Sequence, residues 1–99
     1  MIDVGEIRID VPRRTVAVRG VEVQLTFVEF ELLRVLAGSP GRVFSRRQLL
    51  EKLRGGADYR EPRPIDVHVR HLREKIEQDP HEPTLILTVR GVGYRFRER

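Results

Sequence analysis

The residues best suited to chemistry lie in the segment 63–76, which combines an apolar stripe with a mostly basic one. The apolar residues recur at steps of four, three and four, as on one face of an α-helix. These residues are Ile65, Val69, Leu72 and Ile76. The other side carries Arg63, Val67, Arg70, His71 and Glu74, flanked by His68 and Arg73. A helix anchored along one stripe and basic along the other fits the major groove of DNA.

The arginines of this segment are the first candidates for contacts with DNA. Arg70 and Arg73 are predicted to meet the groove and its phosphate walls, because the planar donor fork of Arg matches phosphate and guanine. Their alternative is intrahelical pairing with Asp66 or Glu74, which stabilises a helix by only about 0.2–0.5 kcal/mol per pair. Arg63 precedes the helix and is predicted to bind phosphate, assisted by the positive end of the helix dipole.

The other residues of this segment have alternative interpretations. Val67 is either a core residue or a reader of thymine methyl groups, and its position off the apolar stripe favours exposure. His68 and His71 lie three residues apart near Asp66, which could indicate a metal site. Such a site needs three or four ligands, and the sequence has no cysteine and only one more histidine, His81. We therefore predict no metal ion.

Length and composition restrict the class of protein. The 99 residues are enough for one domain with a single core, so we predict one domain over 1–99. No apolar run reaches the roughly 20 residues that span a bilayer, and nothing resembles a signal peptide. The absence of cysteine fits a cytoplasmic location. No nucleophile elbow, phosphate-cradling Gly-rich loop or carboxylate pair beside a base is present, so we predict neither an enzyme nor a cofactor.

The basic residues are almost all arginine and are unevenly placed. The formal net charge is +4, and only Lys52 and Lys75 are lysines among the nineteen basic residues. A genome-wide preference for Arg is one explanation for the total. It does not explain the clusters at 60–73 and 90–99, which favour a polyanionic partner.

Two kinds of element precede the basic helix. Apolar and polar residues alternate over 2–24, which predicts a small antiparallel sheet with one buried face. Thr26 with Glu29, and Ser45 with Gln48, match the capping box that begins a helix. The first helix is predicted to be structural and to end at Gly38 and Pro40. Its predicted apolar stripe is Phe27, Phe30, Leu33 and Leu36, widened by Leu32 and Val35.

The second helix is predicted to run through Leu53 and to stop at Gly55-Gly56, before a surface loop over 57–63. Pro64 suits the first turn of the third helix, where its missing N–H costs nothing. Two β-rich runs around the glycine-containing turn 90–93 predict a hairpin. Strands, three helices and a hairpin make an α+β fold of the winged helix-turn-helix type.

Four segments also resemble a known family. Residues 25–33, 44–50, 65–73 and 88–96, with Pro83, are similar in order and register to the OmpR/PhoB-type winged-helix effector domain. The resemblance implies sequence-specific binding of double-stranded DNA by a two-component response regulator that controls transcription. Val67, Arg70 and His71 would then discriminate bases. A receiver domain, phosphorylated in a phosphorelay, normally precedes such a domain; none is present, so we expect a domain separated from it, and a naturally solitary domain is the alternative.

The resemblance assigns further contacts. It places Arg90, at the hairpin tip, in the minor groove, although a solvated turn is the alternative. It adds His68, Thr88 and Tyr94 as DNA contacts; for His68 a structural role is the alternative, and Tyr94 is expected mainly to pack under the wing. A loop predicted to contact RNA polymerase comprises Arg54, Asp58, Tyr59, Arg60 and Glu61. Two copies are expected head to tail on direct repeats, with a monomer when free.

The sequence differs from the family pattern at two positions, and two alternative functions stay open. The family often has Arg at the position of His71 and Trp at that of Arg54, which leaves a base preference and a loop geometry open. One alternative function is a protein-interaction module. The other is non-specific binding of nucleic acid through charge alone.

Overall fold

Two antiparallel sheets and three helices make up the part of the chain that the computed structural model describes, residues 1–54 and 64–98 (without the side chain of Arg54). The elements are β1 (Ile2–Val4), β2 (Ile7–Asp10), β3 (Thr15–Val18), β4 (Val21–Val23), α1 (Phe27–Ala37), β5 (Val43–Ser45), α2 (Arg46–Arg54), α3 (Ile65–Ile76), β6 (Ile86–Val89) and β7 (Gly93–Phe96). The α+β winged-helix prediction is confirmed.

The first sheet has the strand order β1-β2-β3-β4, with every neighbouring pair antiparallel. Its alternating side chains behave as predicted: Ile7, Ile9, Val16 and Val18 are buried on one face, whereas Arg8 between them is exposed. This sheet therefore supplies one wall of the core.

Helix α1 begins with both bonds of the predicted capping box. The Glu29 backbone N–H donates to Thr26 Oγ1, and the Thr26 N–H donates to Glu29 Oε1. Gly38 ends the helix as predicted. The assignment of Phe27 to the apolar stripe was wrong, since its side chain is 48% exposed. Phe27 precedes the buried Glu29 by two residues, and a helix turns about 100° per residue, so it points away from the core.

Helices α2 and α3 form as the sequence predicts. Ser45 and Gln48 make the second capping box. The four apolar residues of the α3 stripe are all buried, which anchors one side of this helix against the core. Pro64 lies one position earlier than predicted, as the extended N-cap residue rather than in the first turn. The predicted stop at Gly55-Gly56 and the loop after it lie outside the described residues.

The predicted hairpin forms, and it is part of a three-stranded sheet with the order β5-β7-β6. Strand β5 was not predicted, because three residues are too few to show a clear alternation. Gly93 of β7 pairs with Ser45 and lies so close to β5 that a side chain there would overlap the carbonyl of Phe44. The central strand thus requires glycine at this point. No helix within 1–54 or 64–98 combines the length and apolarity needed to cross a membrane.

Candidate nucleic-acid interface

The side of α3 opposite its buried stripe carries Arg70, which is exposed, and Val67 and His71, which are half-buried. Val67 precedes Arg70 by three residues and His71 by four, so it lies between them on this face of the helix. Within the described residues Arg70 forms no ion pair, so its predicted alternative, pairing with Asp66 or Glu74, does not occur. The guanidinium of Arg70 is consequently available to a partner outside the molecule.

Arg73 has a different environment from Arg70. Its Nε and Nη2 donate to the backbone carbonyl of Ile86, at 3.2 and 2.8 Å, and Nη2 also donates to Thr88 Oγ1 at 2.9 Å. Arg73 therefore ties α3 to β6, a role that the sequence did not predict. The guanidinium of Arg73, which was predicted to contact DNA, is thus already bonded within the molecule. Thr88 is exposed, and its hydroxyl oxygen accepts one of these hydrogen bonds.

Asp66 has partners different from the one expected. Instead of pairing with Arg70 along the helix, its Oδ1 accepts hydrogen bonds from Arg46 Nε at 2.7 Å and from the Tyr94 hydroxyl at 2.5 Å. One carboxylate oxygen thus connects the first residue of α2, the first turn of α3 and strand β7.

The pKa values of this cluster follow from its contacts. The hydrogen bond from Tyr94 is the largest influence on the pKa of Asp66 and lowers it; burial opposes this, and the hydrogen bond and charge of Arg46 lower the pKa further. Burial raises the pKa of Tyr94, and the bond to Asp66 adds to the increase. The bond to Asp66 also raises the pKa of Arg46. At neutral pH the carboxylate is therefore ionised while the phenol keeps the proton that it donates.

Tyr94 packs mainly under the wing, as expected, and is 5% exposed. The guanidinium carbons of Arg46 and Arg73 lie 5.4 and 5.5 Å from the centre of its ring. The further expectation, a hydrogen bond from its hydroxyl to phosphate, is not supported. The single hydroxyl hydrogen is donated to Asp66, and a phosphate oxygen would need that same hydrogen.

His68 is buried, with 3% of its surface exposed, and therefore lies on the core side of α3. The prediction that it donates to phosphate is wrong for this structure, and the structural alternative fits. His68 precedes the buried Leu72 by four residues, which places both on the same side of the helix. Within the described part of the chain, no three His, Asp or Glu side chains are placed to hold a metal ion.

Glu77 is a residue that sequence reasoning missed. It is 6% exposed, and its carboxylate accepts hydrogen bonds from the backbone N–H groups of Thr84, Leu85 and Ile86 at 2.8–3.1 Å. Together with Arg73 it fixes the start of β6 against the end of α3. The only signal in the sequence is an acidic residue directly after the last apolar position of the helix, which usually indicates a solvated end.

The tip of the wing is the three-residue turn 90–92 between the paired residues Val89 and Gly93. Arg90 is exposed there, and Gly91 has a φ of +74°, a backbone conformation that favours glycine. The turn therefore presents one arginine at the end of a short, well-paired hairpin. The other predicted site residues, Arg63 and the loop residues Asp58, Tyr59, Arg60 and Glu61, lie outside the described residues, as does the side chain of Arg54.

These elements define a winged helix-turn-helix domain with a basic, exposed face on its third helix. Residues 20–96 match the family described as "Transcriptional regulatory protein, C terminal". The chain belongs to this family, in agreement with the resemblance in its motifs.

Individual relatives agree with this family. The DNA-binding response regulator MtrA of Mycolicibacterium smegmatis is 45% identical over 95 residues, which are 96% of this chain and 42% of MtrA. The response regulator DrrB of Thermotoga maritima, an OmpR/PhoB homologue, has a TM-score of 0.82 and 39% identity over 96% of this chain and 43% of DrrB. This chain therefore spans less than half the length of these two proteins.

A further similar structure contains nucleic acid. The DNA-binding domain of RstA from Klebsiella pneumoniae, solved in complex with the RstA box, has a TM-score of 0.82 and 35% identity. The alignment covers 97% of this chain and 95% of the RstA chain.

Proposed function

We propose that this chain binds double-stranded DNA in a sequence-specific manner, as the effector domain of a two-component response regulator, and has no catalytic role. The observation that carries the proposal is the position of Arg70: its helix is clamped by a buried apolar stripe, while its guanidinium is exposed and forms no ion pair within residues 1–54 and 64–98. The relatives named DNA-binding response regulators, and the RstA domain solved with its box, support this function.

In the proposed complex α3 enters the major groove. Val67, Arg70 and His71 face the base edges, where Arg70 offers a bidentate donor pair to guanine and Val67 an apolar surface to thymine methyl groups. Arg90 extends from the wing into the adjacent minor groove, where a narrow A·T-rich stretch attracts a guanidinium. Arg63 meets phosphate before the first turn of α3. Phosphate contacts then set register and affinity, and base contacts set specificity.

The proposal includes the assembly in which the domain acts. We propose a cytoplasmic protein in which a receiver domain precedes this one and is phosphorylated. We also propose that two copies bind direct repeats head to tail, that the free domain is a monomer, and that the segment 54–61 contacts RNA polymerase. The resemblance to the OmpR/PhoB-type family supports these expectations.

Selection of bound duplexes from a random pool tests the proposed function. We expect a defined half-site, recovered as a repeat, and a cognate duplex bound at least about a thousandfold more tightly than a scrambled one at equal salt. Equal affinity for the two duplexes at every salt concentration would show binding by charge alone. No binding to either would favour a protein-interaction module.

A further inference from the structure

The carboxylate of Asp66 poses a problem for a DNA-binding face. It lies in the first turn of α3, its side chain is 52% exposed, and its pKa keeps it ionised at neutral pH. A negative charge there repels phosphate, so on charge alone its removal should strengthen binding to DNA. The hydrogen bonds that Asp66 accepts lead us to expect the opposite, namely weaker binding to DNA when the carboxylate is removed.

The first of these bonds holds Arg46. Asp66 accepts from Nε of Arg46, and the ring of Tyr94 lies 5.4 Å from the same guanidinium. Arg46 makes this bond through Nε, and its side chain is 46% exposed. The carboxylate therefore holds the guanidinium at Nε, and nearly half of the Arg46 side chain stays accessible to an outside partner.

The second bond connects the same carboxylate to the wing. The Tyr94 hydroxyl donates to Asp66, and its ring lies 5.5 Å from the guanidinium carbon of Arg73, which itself bonds the carbonyl of Ile86. A continuous set of contacts thus runs from α2 through the start of α3 to both strands of the hairpin. Asp66 is the point at which these elements share one acceptor atom.

We propose that Asp66 is a positioning residue for DNA binding: it orients Arg46 as a contact to a DNA phosphate and holds β7 against the first turn of α3. The benefit of Asp66 to binding is that the guanidinium of Arg46 is oriented before the DNA arrives. Arg46 therefore loses less rotamer freedom when it contacts phosphate. This benefit exceeds the repulsion between the carboxylate and the DNA. The inference rests on the proposed function.

The variant Asp66→Asn separates positioning from charge when it is compared with Glu74→Gln. Both remove one negative charge from α3, but Glu74 is exposed and forms no ion pair within the described residues. We expect Asp66→Asn to weaken binding to the selected duplex by about fivefold or more, since a charge-assisted bond is lost. Glu74→Gln should leave affinity unchanged or raise it. An equal or tighter affinity for Asp66→Asn would overturn the proposal.

A double-mutant cycle shows whether Asp66 acts through Arg46. Arg46→Ala should weaken binding and reduce the slope of log affinity against log salt by about one, the signature of one lost phosphate contact. In the Arg46→Ala background, Asp66→Asn should cause little further loss. A full, additive loss in the double variant, or an unchanged salt slope for Arg46→Ala, would contradict the assignment.

Two controls keep this test independent of folding and of the proposed function. Thermal unfolding with and without duplex shows that each variant is folded at the assay temperature. Tyr94→Phe removes the hydroxyl and keeps the ring, and it should weaken binding less than Asp66→Asn because Arg46 remains bonded; a larger loss counts against Arg46 as the main route. If the wild type fails to distinguish selected from scrambled duplexes, the proposed function fails first, whatever the variants do.

Discussion

Helices α1 and α3 are built alike and use their charged side chains differently. Each buries one apolar stripe, with Leu33 of α1 and Leu72 of α3 both fully buried. On α1 the charged groups are bonded within the molecule: Glu31 pairs with Arg14 at 2.8 Å and with Arg34 at 2.7 Å. Helix α1 therefore has little charge left for an external partner.

On α3 the charged groups that are bonded to other described elements lie toward the two ends of the helix. Asp66 at the start and Arg73 near the end form hydrogen bonds to other elements, whereas Arg70 and Glu74 form no ion pair within 1–54 and 64–98. The number of charges on a helix therefore does not identify a binding face. A face is identified by charged groups whose side chains are exposed and unbonded on a helix that is itself fixed.

Substitution of one buried leucine in each helix, which should have the greatest effect on stability, tests whether α1 and α3 are anchored alike. Leu33→Ala in α1 and Leu72→Ala in α3 each delete a buried side chain and leave a cavity, so each should reduce the free energy of unfolding by about 2–5 kcal/mol. Chemical denaturation of the two variants measures this. A loss below about 1 kcal/mol for Leu72→Ala would mean that α3 is not clamped by its stripe, which removes the basis for a rigid recognition helix.

Substitution of an arginine in each helix tests whether α3, unlike α1, uses its charge to bind DNA. Arg70→Ala should reduce affinity for the selected duplex by about 1–3 kcal/mol while the unfolding free energy stays within about 0.5 kcal/mol of the wild type. Its matched control, Arg34→Ala on α1, removes the same charge from a side chain that is bonded to Glu31. That control should change DNA affinity by no more than about twofold at physiological salt. Equal losses for the two variants would favour non-specific attraction.

The contribution of the bonded Glu29 carboxylate of α1 to stability should depend on pH, and its effect should be smaller than the two above. Burial raises the pKa of Glu29, but hydrogen bonds from Lys75 and Thr26 outweigh it, and the pKa lies below the ordinary 4.5. Because the folded-state pKa is the lower one, the ionised group stabilises the fold above pH 4.5, and this contribution is lost as pH falls through the folded-state value. Glu29→Gln should therefore cost about 1–2 kcal/mol near neutral pH.

Urea denaturation across this pH range measures the contribution of Glu29. The gap between the wild type and Glu29→Gln should narrow as the solution is acidified below pH 4.5. Glu74→Gln on α3 is the control, because its exposed carboxylate has no ion-pair partner among the described residues, and its unfolding free energy should stay within about 0.5 kcal/mol throughout. A constant gap for Glu29→Gln would show that its cap is not ionised when folded.

The sequence predicted what depends on near neighbours along the chain. The α3 stripe and both capping boxes involve partners three or four residues apart, so their spacing is visible in the sequence. The family resemblance added the role of Arg90, which remains a prediction, and a phosphate contact for His68, which burial contradicts. Phe27 was misassigned because a single apolar residue at the first helical position matches the stripe without belonging to it.

The contacts that hold the site together could not be predicted in this way. Arg46 and Tyr94 are 20 and 28 residues from the carboxylate that they share, and Arg73 is 13 residues from Ile86. Such pairs arise from the packing of helices and wing, which no local pattern encodes. Intrahelical pairing of Asp66 with Arg70 was the nearest local alternative, and the distant partners displaced it.

Gly93 has a consequence for how far the wing reaches. Its backbone leaves room for only a hydrogen atom beside Phe44, and it pairs with Ser45 of β5 as well as with Val89 of β6, so the sheet is three strands wide up to the residue where the turn ends. The free arm of the wing is then no longer than the turn 90–92 and the side chain of its arginine. A longer reach would have to come from residues inserted at the turn, because each residue added to a strand extends the hairpin by about 3.3 Å.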